Sequence, residues 1–298
     1  MGKGLKEMNK MGRIISGLKS QKNGYCRITH KKGWLGYLED GDMVFTPQDL
    51  KKEILRVVNK NPPRGEKLFD LSWCQQEERL HFTMLSLKKP KLDPPVQPYR
   101  TEEALERFIV RSNGDRFYNQ IPIGGGKESI DIGIKESDSK FIFVELKPWD
   151  SGNNPLYALI ESLKNLIEYW IIPKEKIPEN KKYEHIELMV LAPIDYYRTY
   201  ELLESDGKRS ENNLSVVRKT LAKIGSEFKD FNLAAISFMA LADFGEPEFL
   251  QKCWEVYKEK FKGQTKELVQ LIKAHAIPLL ARDRWKLVVS TDEIIAVR

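Results

Sequence analysis

The sequence predicts an α/β protein with a helix–strand–strand–strand–helix–strand core and a mixed sheet. A small α+β region precedes this core and a helical extension follows it. Three observations predict the core. Residues 116–147 carry three successive runs of strand character, the later two with residue types alternating along them. Pro155–Trp170 places Leu156, Leu159, Ile160, Leu163, Ile167 and Trp170 on one helical stripe. Ile186–Ala192 is continuously apolar apart from Glu187, as in a strand buried inside a sheet.

Taken in order, Thr46-Pro47-Gln48-Asp49 opens a helix, with Thr46 as N-cap, Pro47 in the first turn, and Leu50, Ile54, Leu55 and Val58 at helical spacing. Tyr25–His30, Trp34–Leu38 and Leu80–Leu87 are candidate strands. Residues 88–98 read KKPKLDPPVQP, and four prolines in so short a stretch continue neither a helix nor a central strand. The expected division is therefore a basic α+β region over 1–90, a linker over 91–98, and a larger domain over 99–298. In the latter, Thr101–Arg111 is helical and Arg116–Ile123, Glu128–Lys135 and Lys140–Lys147 are strands. Glu145–Ala192 forms a strand–helix–strand unit, which pairs its strands in parallel. A helix near Asn213–Phe228, a strand at Leu233–Leu241, helices near Glu248–Phe261 and Thr265–His275, and a hairpin from Trp285 to Val297 complete the chain.

Composition narrows the class. With 41% hydrophobic residues among 298, a substantial core is affordable. No apolar run approaches the ~20 residues that span a bilayer, and no apolar segment follows the basic N-terminus as in a secretory signal. Cys26, Cys74 and Cys253 are too scattered for a disulfide framework or zinc site. The expectation is a soluble protein of the cytoplasm. The net charge of +6 is uneven: residues 1–98 hold 19 basic and 11 acidic residues, the rest 30 and 32. Such a basic surface attracts polyanions, and the same residues also read as a solvated, partly disordered arm. Tyr25, Trp34 and Tyr37 lie beside Arg27, Lys31 and Lys32, where aromatic rings could stack on bases or be half-buried in strands.

Residues 129–147, SIDIGIKESDSKFIFVELK, carry the chemistry. Strand alternation places Asp131, Glu145 and Lys147 on one sheet face, beside Gly133, which leaves room. KESDSK supplies the turn. Two acids and an ammonium are costly on apolar strands unless paired or bound to metal. Mg²⁺ takes such oxygen ligands together with substrate phosphate, and the carbonyl of Leu146 lies between the two side chains. A nearby lysine positions an attacking water or stabilises developing negative charge. The same residues also read as charged cross-strand pairs on an exposed hairpin face.

Asp131 followed by Glu145-Leu146-Lys147, inside a helix–strand–strand–strand–helix–strand order, resembles the PD-(D/E)xK nuclease superfamily over about residues 101–192. The resemblance implies a restriction-endonuclease-like fold and metal-dependent phosphodiester hydrolysis, of DNA more often than RNA, with Mg²⁺ or Mn²⁺. Asp131 matches the metal-binding aspartate, Glu145 the second carboxylate and Lys147 the catalytic lysine. Ile130 stands where many members have proline. Members often add an acid from the first helix; of Glu102, Glu103 and Glu106, Glu102 lies nearest the buried stripe edge and is the expected ligand. The implied metal set is thus Asp131, Glu145, Glu102 and the Leu146 carbonyl. Two other E-x-K tripeptides, Glu179-Asn180-Lys181 and Glu227-Phe228-Lys229, lack this setting.

Of Tyr157, Glu161 and Lys164, which lie off the apolar stripe, Lys164 is the expected phosphate contact. Lys127, in Gly124-Gly125-Gly126-Lys127, and Lys31 and Lys32 are the other candidate nucleic-acid contacts. That glycine loop lacks the spacing and the Ser/Thr of a phosphate-binding loop. The four histidines have no metal-pair spacing. The expected activity is a DNA endonuclease, with nucleic acid as partner, no membrane, and a homodimer as one way to cut both strands. The alternative is a nuclease-like fold that binds nucleic acid or a protein partner without turnover.

Overall fold

The computed structural model describes residues 10–21, 34–35, 45–65, 68–71, 102–124, 128–148, 151–178, 182–241, 270, 274 and 278–292, apart from the side chains of 19–21 and 103–104. Its elements in chain order are α1 (Lys10–Gln21), α2 (Pro47–Lys60), α3 (Glu102–Asn113), β1 (Phe117–Pro122), β2 (Ser129–Lys135), β3 (Lys140–Leu146), α4 (Pro155–Ile171), β4 (His185–Pro193), α5 (Ile194–Thr199), α6 (Glu211–Glu227), β5 (Leu233–Leu241) and β6 (Lys286–Ser290). The six strands form one mixed sheet in the order β1-β2-β3-β4-β5-β6. The outer pairs β1/β2, β2/β3 and β5/β6 are antiparallel, and β3/β4 and β4/β5 are parallel. The expected α-β-β-β-α-β order is α3 to β4, and its strand–helix–strand unit is the parallel pair β3/β4.

Local chemistry sets the boundaries. At α2, Thr46 Oγ1 accepts from the Asp49 N–H at 3.1 Å while the Asp49 carboxylate accepts from the Thr46 N–H at 3.0 Å, a capping box with Pro47 in the first turn. At α4, Asn154 Oδ1 accepts from the Tyr157 N–H at 2.9 Å, and Pro155 follows the cap. In the β2–β3 turn, Ser137 Oγ accepts from the N–H groups of Ser139 and Lys140.

One buried cluster unites α1, α2, α4, α6 and a face of the sheet, with α4 packed on β3 and β4. α3 packs on β1. The basic arm expected at the N-terminus contains a helix: Met11, Ile14, Ile15 and Leu18 of α1 are buried, at a spacing that gives one apolar stripe. Trp34 is also buried, its Nε1–H donating to the Tyr200 carbonyl at 3.1 Å, so this ring is not free to stack on a base. At the other end, β6 pairs with β5; the second arm of the expected hairpin, 293–298, lies outside the described residues. The expected strands at Tyr25–His30 and Leu80–Leu87, the linker 91–98, the helix at Glu248–Phe261 and the three cysteines also lie outside them. Among the described residues, no helix is long and apolar enough to cross a membrane.

Candidate active site

The site lies where β2 and β3 part. Their last paired residues are Ile132 and Val144. One residue further, Asp131 turns its own carboxylate into the ladder: Oδ2 accepts the Leu146 N–H at 2.9 Å. A side chain thus takes the place of a strand carbonyl, which fixes Asp131 at the mouth of the split. Leu146 meets the site through this N–H.

Two groups of side chains converge there. On one side, α3 brings Glu102 and Glu106, one helical turn apart, to Asp131; one oxygen from each of the three lies within 4.8 Å of the others. On the other side, Lys147 Nζ lies 2.5 Å from Glu145 Oε1 and 3.1 Å from Glu161 Oε2 of α4. Asp131, Glu145 and Lys147 are at most 9% exposed. Tyr157 of α4 is half-buried beside the second group.

Burial of like charges sets the electrostatics. Burial first, then the Glu102 charge, pushes Asp131 up to about 7. Burial and then the Asp131 charge raise Glu145 well above the carboxylate range. Burial opposes the charge of Lys147, but Glu145, Glu161, Asp131 and Glu102 together raise it well above its ordinary value. Glu161 also resists charging through burial, yet contact with Lys147 lowers it. The result is a cluster of buried acids with the Lys147 ammonium beside it.

The supporting frame comes from tyrosines of α5 and its C-terminal edge. Tyr196 Oη donates to the Asn153 carbonyl at 2.9 Å and Tyr200 Oη to the Ser151 carbonyl at 3.1 Å. These bonds fasten Ser151 and Asn153, just ahead of the helix that carries Glu161.

Of the residues expected from sequence, Glu102, Asp131, Glu145 and Lys147 all lie in this region. Lys164 is 6% exposed and its ammonium lies 3.1 Å from Glu168, away from open solvent. Lys31, Lys32 and Lys127 lie outside the described residues. Gly133 does not leave room for a ligand: a Cβ there would lie 2.2 Å from Ile121 Cδ1 and 2.6 Å from the Phe141 ring, so core side chains fill that space. Sequence reasoning preferred Glu102 alone, yet Glu106 joins it; the four-residue spacing of the two acids on one helix was the available signal. Glu161, rather than Lys164, is the α4 residue that reaches Lys147.

The donor set Glu102, Glu106 and Asp131 consists of carboxylates, which suits a hard divalent cation such as Mg²⁺ or Mn²⁺. Burial and then the Glu102 charge hold Asp131 near protonation, and a cation would offset both. Comparison of the chain with protein-family models, curated proteins and solved structures gives no match.

Proposed function

We propose that the protein is a metal-dependent nuclease, acting first on DNA, with Glu102, Glu106 and Asp131 as the cation's carboxylate ligands and Glu145 beside them. The observation that supports this most is the pairing of the three-acid group with the buried Lys147 ammonium across the parted strands. A bound divalent cation would supply positive charge to the scissile phosphate and lower the pKa of a water. Lys147 holds a positive charge at a fixed point next to that phosphate, oriented by Glu145 and Glu161, and stabilises charge that grows on the phosphate oxygens. Glu145, with its raised affinity for protons, is placed to exchange one with the attacking water or the leaving oxygen. Asp131 ties the ligands to the Leu146 backbone, so the acids and the ammonium keep one spacing.

The experiment is cleavage of supercoiled plasmid and of labelled linear DNA and RNA with Mg²⁺ or Mn²⁺. Asp131→Asn and Lys147→Met should each abolish cleavage while the protein remains folded. Cleavage that survives both substitutions overturns the reading. Salt-sensitive binding of nucleic acid with no cleavage under any divalent ion would favour the binding module instead.

A further inference from the structure

One residue of β1 departs from strand geometry, and it does so opposite Asp131. Gln120 has φ 52°, in the left-handed region that side chains with a Cβ rarely adopt. It sits between the pairs Asn119↔Ile132 and Ile121↔Ile130, so the residue across from it is Asp131. The strand changes face here. Tyr118 and Ile121, three residues apart, both belong to the buried cluster on the α4 side, which a regular strand forbids. β2 answers in kind, since Ile130 joins that cluster and Ile132 does not.

The turn in the backbone gives the Gln120 side chain a defined task. Its Nε2 donates to both carboxylate oxygens of Glu106, each at 2.8 Å. Its Oε1 accepts from Ser129 Oγ, also at 2.8 Å. A carboxylate only accepts, so the amide must present its nitrogen to Glu106. The Ser129 hydroxyl, donating to the other end, locks that orientation. Glu106 is 1% exposed and belongs to the three-acid group, so its rotamer decides where that group's oxygens meet.

We propose that Gln120 is a positioning residue for the cation site: held by Ser129, it fixes the Glu106 carboxylate against Glu102 and Asp131. This rests on the reading of those acids as cation ligands. Glycine would occupy the left-handed position without strain, but would leave Glu106 without the amide. Hydrogen bonds to ligating carboxylates set affinity through ligand orientation, and strained backbone is retained where it serves such a task.

The test is calorimetric titration of Mn²⁺, with no nucleic acid present, into wild type, Gln120→Met, Ser129→Ala and the double variant, each checked for folding by circular dichroism. Gln120→Met should weaken Mn²⁺ binding about 10–100-fold. Ser129→Ala should weaken it by a smaller factor and add nothing once Gln120 is replaced. A purely structural role would move thermal stability but leave Mn²⁺ affinity in place, and that result overturns the proposal, as does full multiplication of the two losses. Should Gln120→Met fail to fold, the half-exposed Ser129→Ala decides alone, and unchanged affinity there is fatal. Wild type that binds Mn²⁺ yet leaves DNA and RNA uncut refutes the nuclease reading and not the role of Gln120. Wild type that cuts, with all variants binding Mn²⁺ equally, refutes Gln120 and not the nuclease. Wild type that binds no Mn²⁺ refutes the positioning role outright.

Discussion

Asp131 Oδ2 accepts the Leu146 N–H at 2.9 Å across two strands that have ceased to pair, so one carboxylate both closes the sheet and opens the site. Backbone donation favours the charged form of Asp131, and burial and the Glu102 charge outweigh it, leaving the group at about 7. The sign for stability follows. The folded protein holds a proton that the unfolded chain releases near the ordinary value of 3.8, so this contribution is complete below that pH and is lost as pH rises through about 7. Glu145, also raised, acts in the same direction. Glu161 is lowered, so its contribution is lost only as pH falls below its ordinary value of 4.5. In EDTA, wild type should therefore lose stability from about pH 5 to about pH 8. Asp131→Asn keeps the acceptor for Leu146 and removes the buried charge. It should raise stability at the upper pH by about 1–4 kcal/mol and abolish stabilisation by Mn²⁺. Thermal unfolding at both pH values, with and without Mn²⁺, measures this; an equal pH slope in the variant refutes it.

Lys147 bridges two acids, Glu145 and Glu161, that also share a hydrogen bond with each other. Lys147→Met leaves Glu145 and Glu161 in contact without the ammonium, and removal of one partner from a buried ion pair costs about 3–5 kcal/mol. Glu145→Gln in the same chain should recover part of that loss, because the repulsion disappears. Lys147→Arg keeps the charge but moves its centre, and should fold better than Met while cleavage falls about 100–1,000-fold. Urea unfolding alongside single-turnover cleavage separates the two effects.

Gly133 is a packing requirement beneath the site. A methyl group there would lie 2.2 Å from Ile121 Cδ1 and 2.6 Å from two atoms of the Phe141 ring. The tip of Ile121 can swing aside, but the ring is held in an aromatic group with Phe69, Phe143 and Tyr183. Gly133→Ala should cost about 1–3 kcal/mol, and Ile121→Val in the same chain should return part of it by deleting the clashing methyl. A shift of the urea midpoint at constant slope is the readout; additive costs would show that the two sites do not touch.

These cases show what sequence can carry. Alternation along β3 and the stripe of α4 are local patterns, so the order α3 to β4 and the placing of Glu145 with Lys147 are legible directly, whereas Asp131 joins them at a point where β2 changes face. α1 is equally periodic, at Met11, Ile14, Ile15 and Leu18, but the basic residues scattered through 1–34 favour a solvated arm. The left-handed turn at Gln120 has no local signal, since nothing in Tyr118-Asn119-Gln120-Ile121 favours it. It is imposed by the need to bury Tyr118 and Ile121 on one side while Gln120 reaches Glu106. Choosing Glu161 over Lys164 likewise depends on which turn of α4 lies over Lys147, a matter of tertiary packing.

The same packing predicts how α1 is fastened. Glu168 of α4 is fully buried, yet charged groups surround it: Lys10 Nζ lies 2.6 Å from Oε1, and Lys164 Nζ lies 3.1 Å from Oε2 without hydrogen-bond alignment. Lys10 also reaches Glu128 at 2.6 Å, just before β2. Burial opposes the Lys10 charge, and its bonds to Glu128 and Glu168 more than restore it, so the ammonium stays charged above its ordinary range. Lys10→Met keeps the apolar stem but strips Glu168 of its aligned donor, at a cost of about 1–3 kcal/mol. Because α1 is held by this bond and by Met11, Ile14, Ile15 and Leu18, local opening should become easier there first. Amide exchange should accelerate in α1 and the adjoining part of α4, while α6 keeps its protection. Glu168→Gln, which removes the buried charge along with the ion pair, should cost less than Lys10→Met; the reverse order would mean that Glu168 is stabilised chiefly by Lys164 rather than by Lys10.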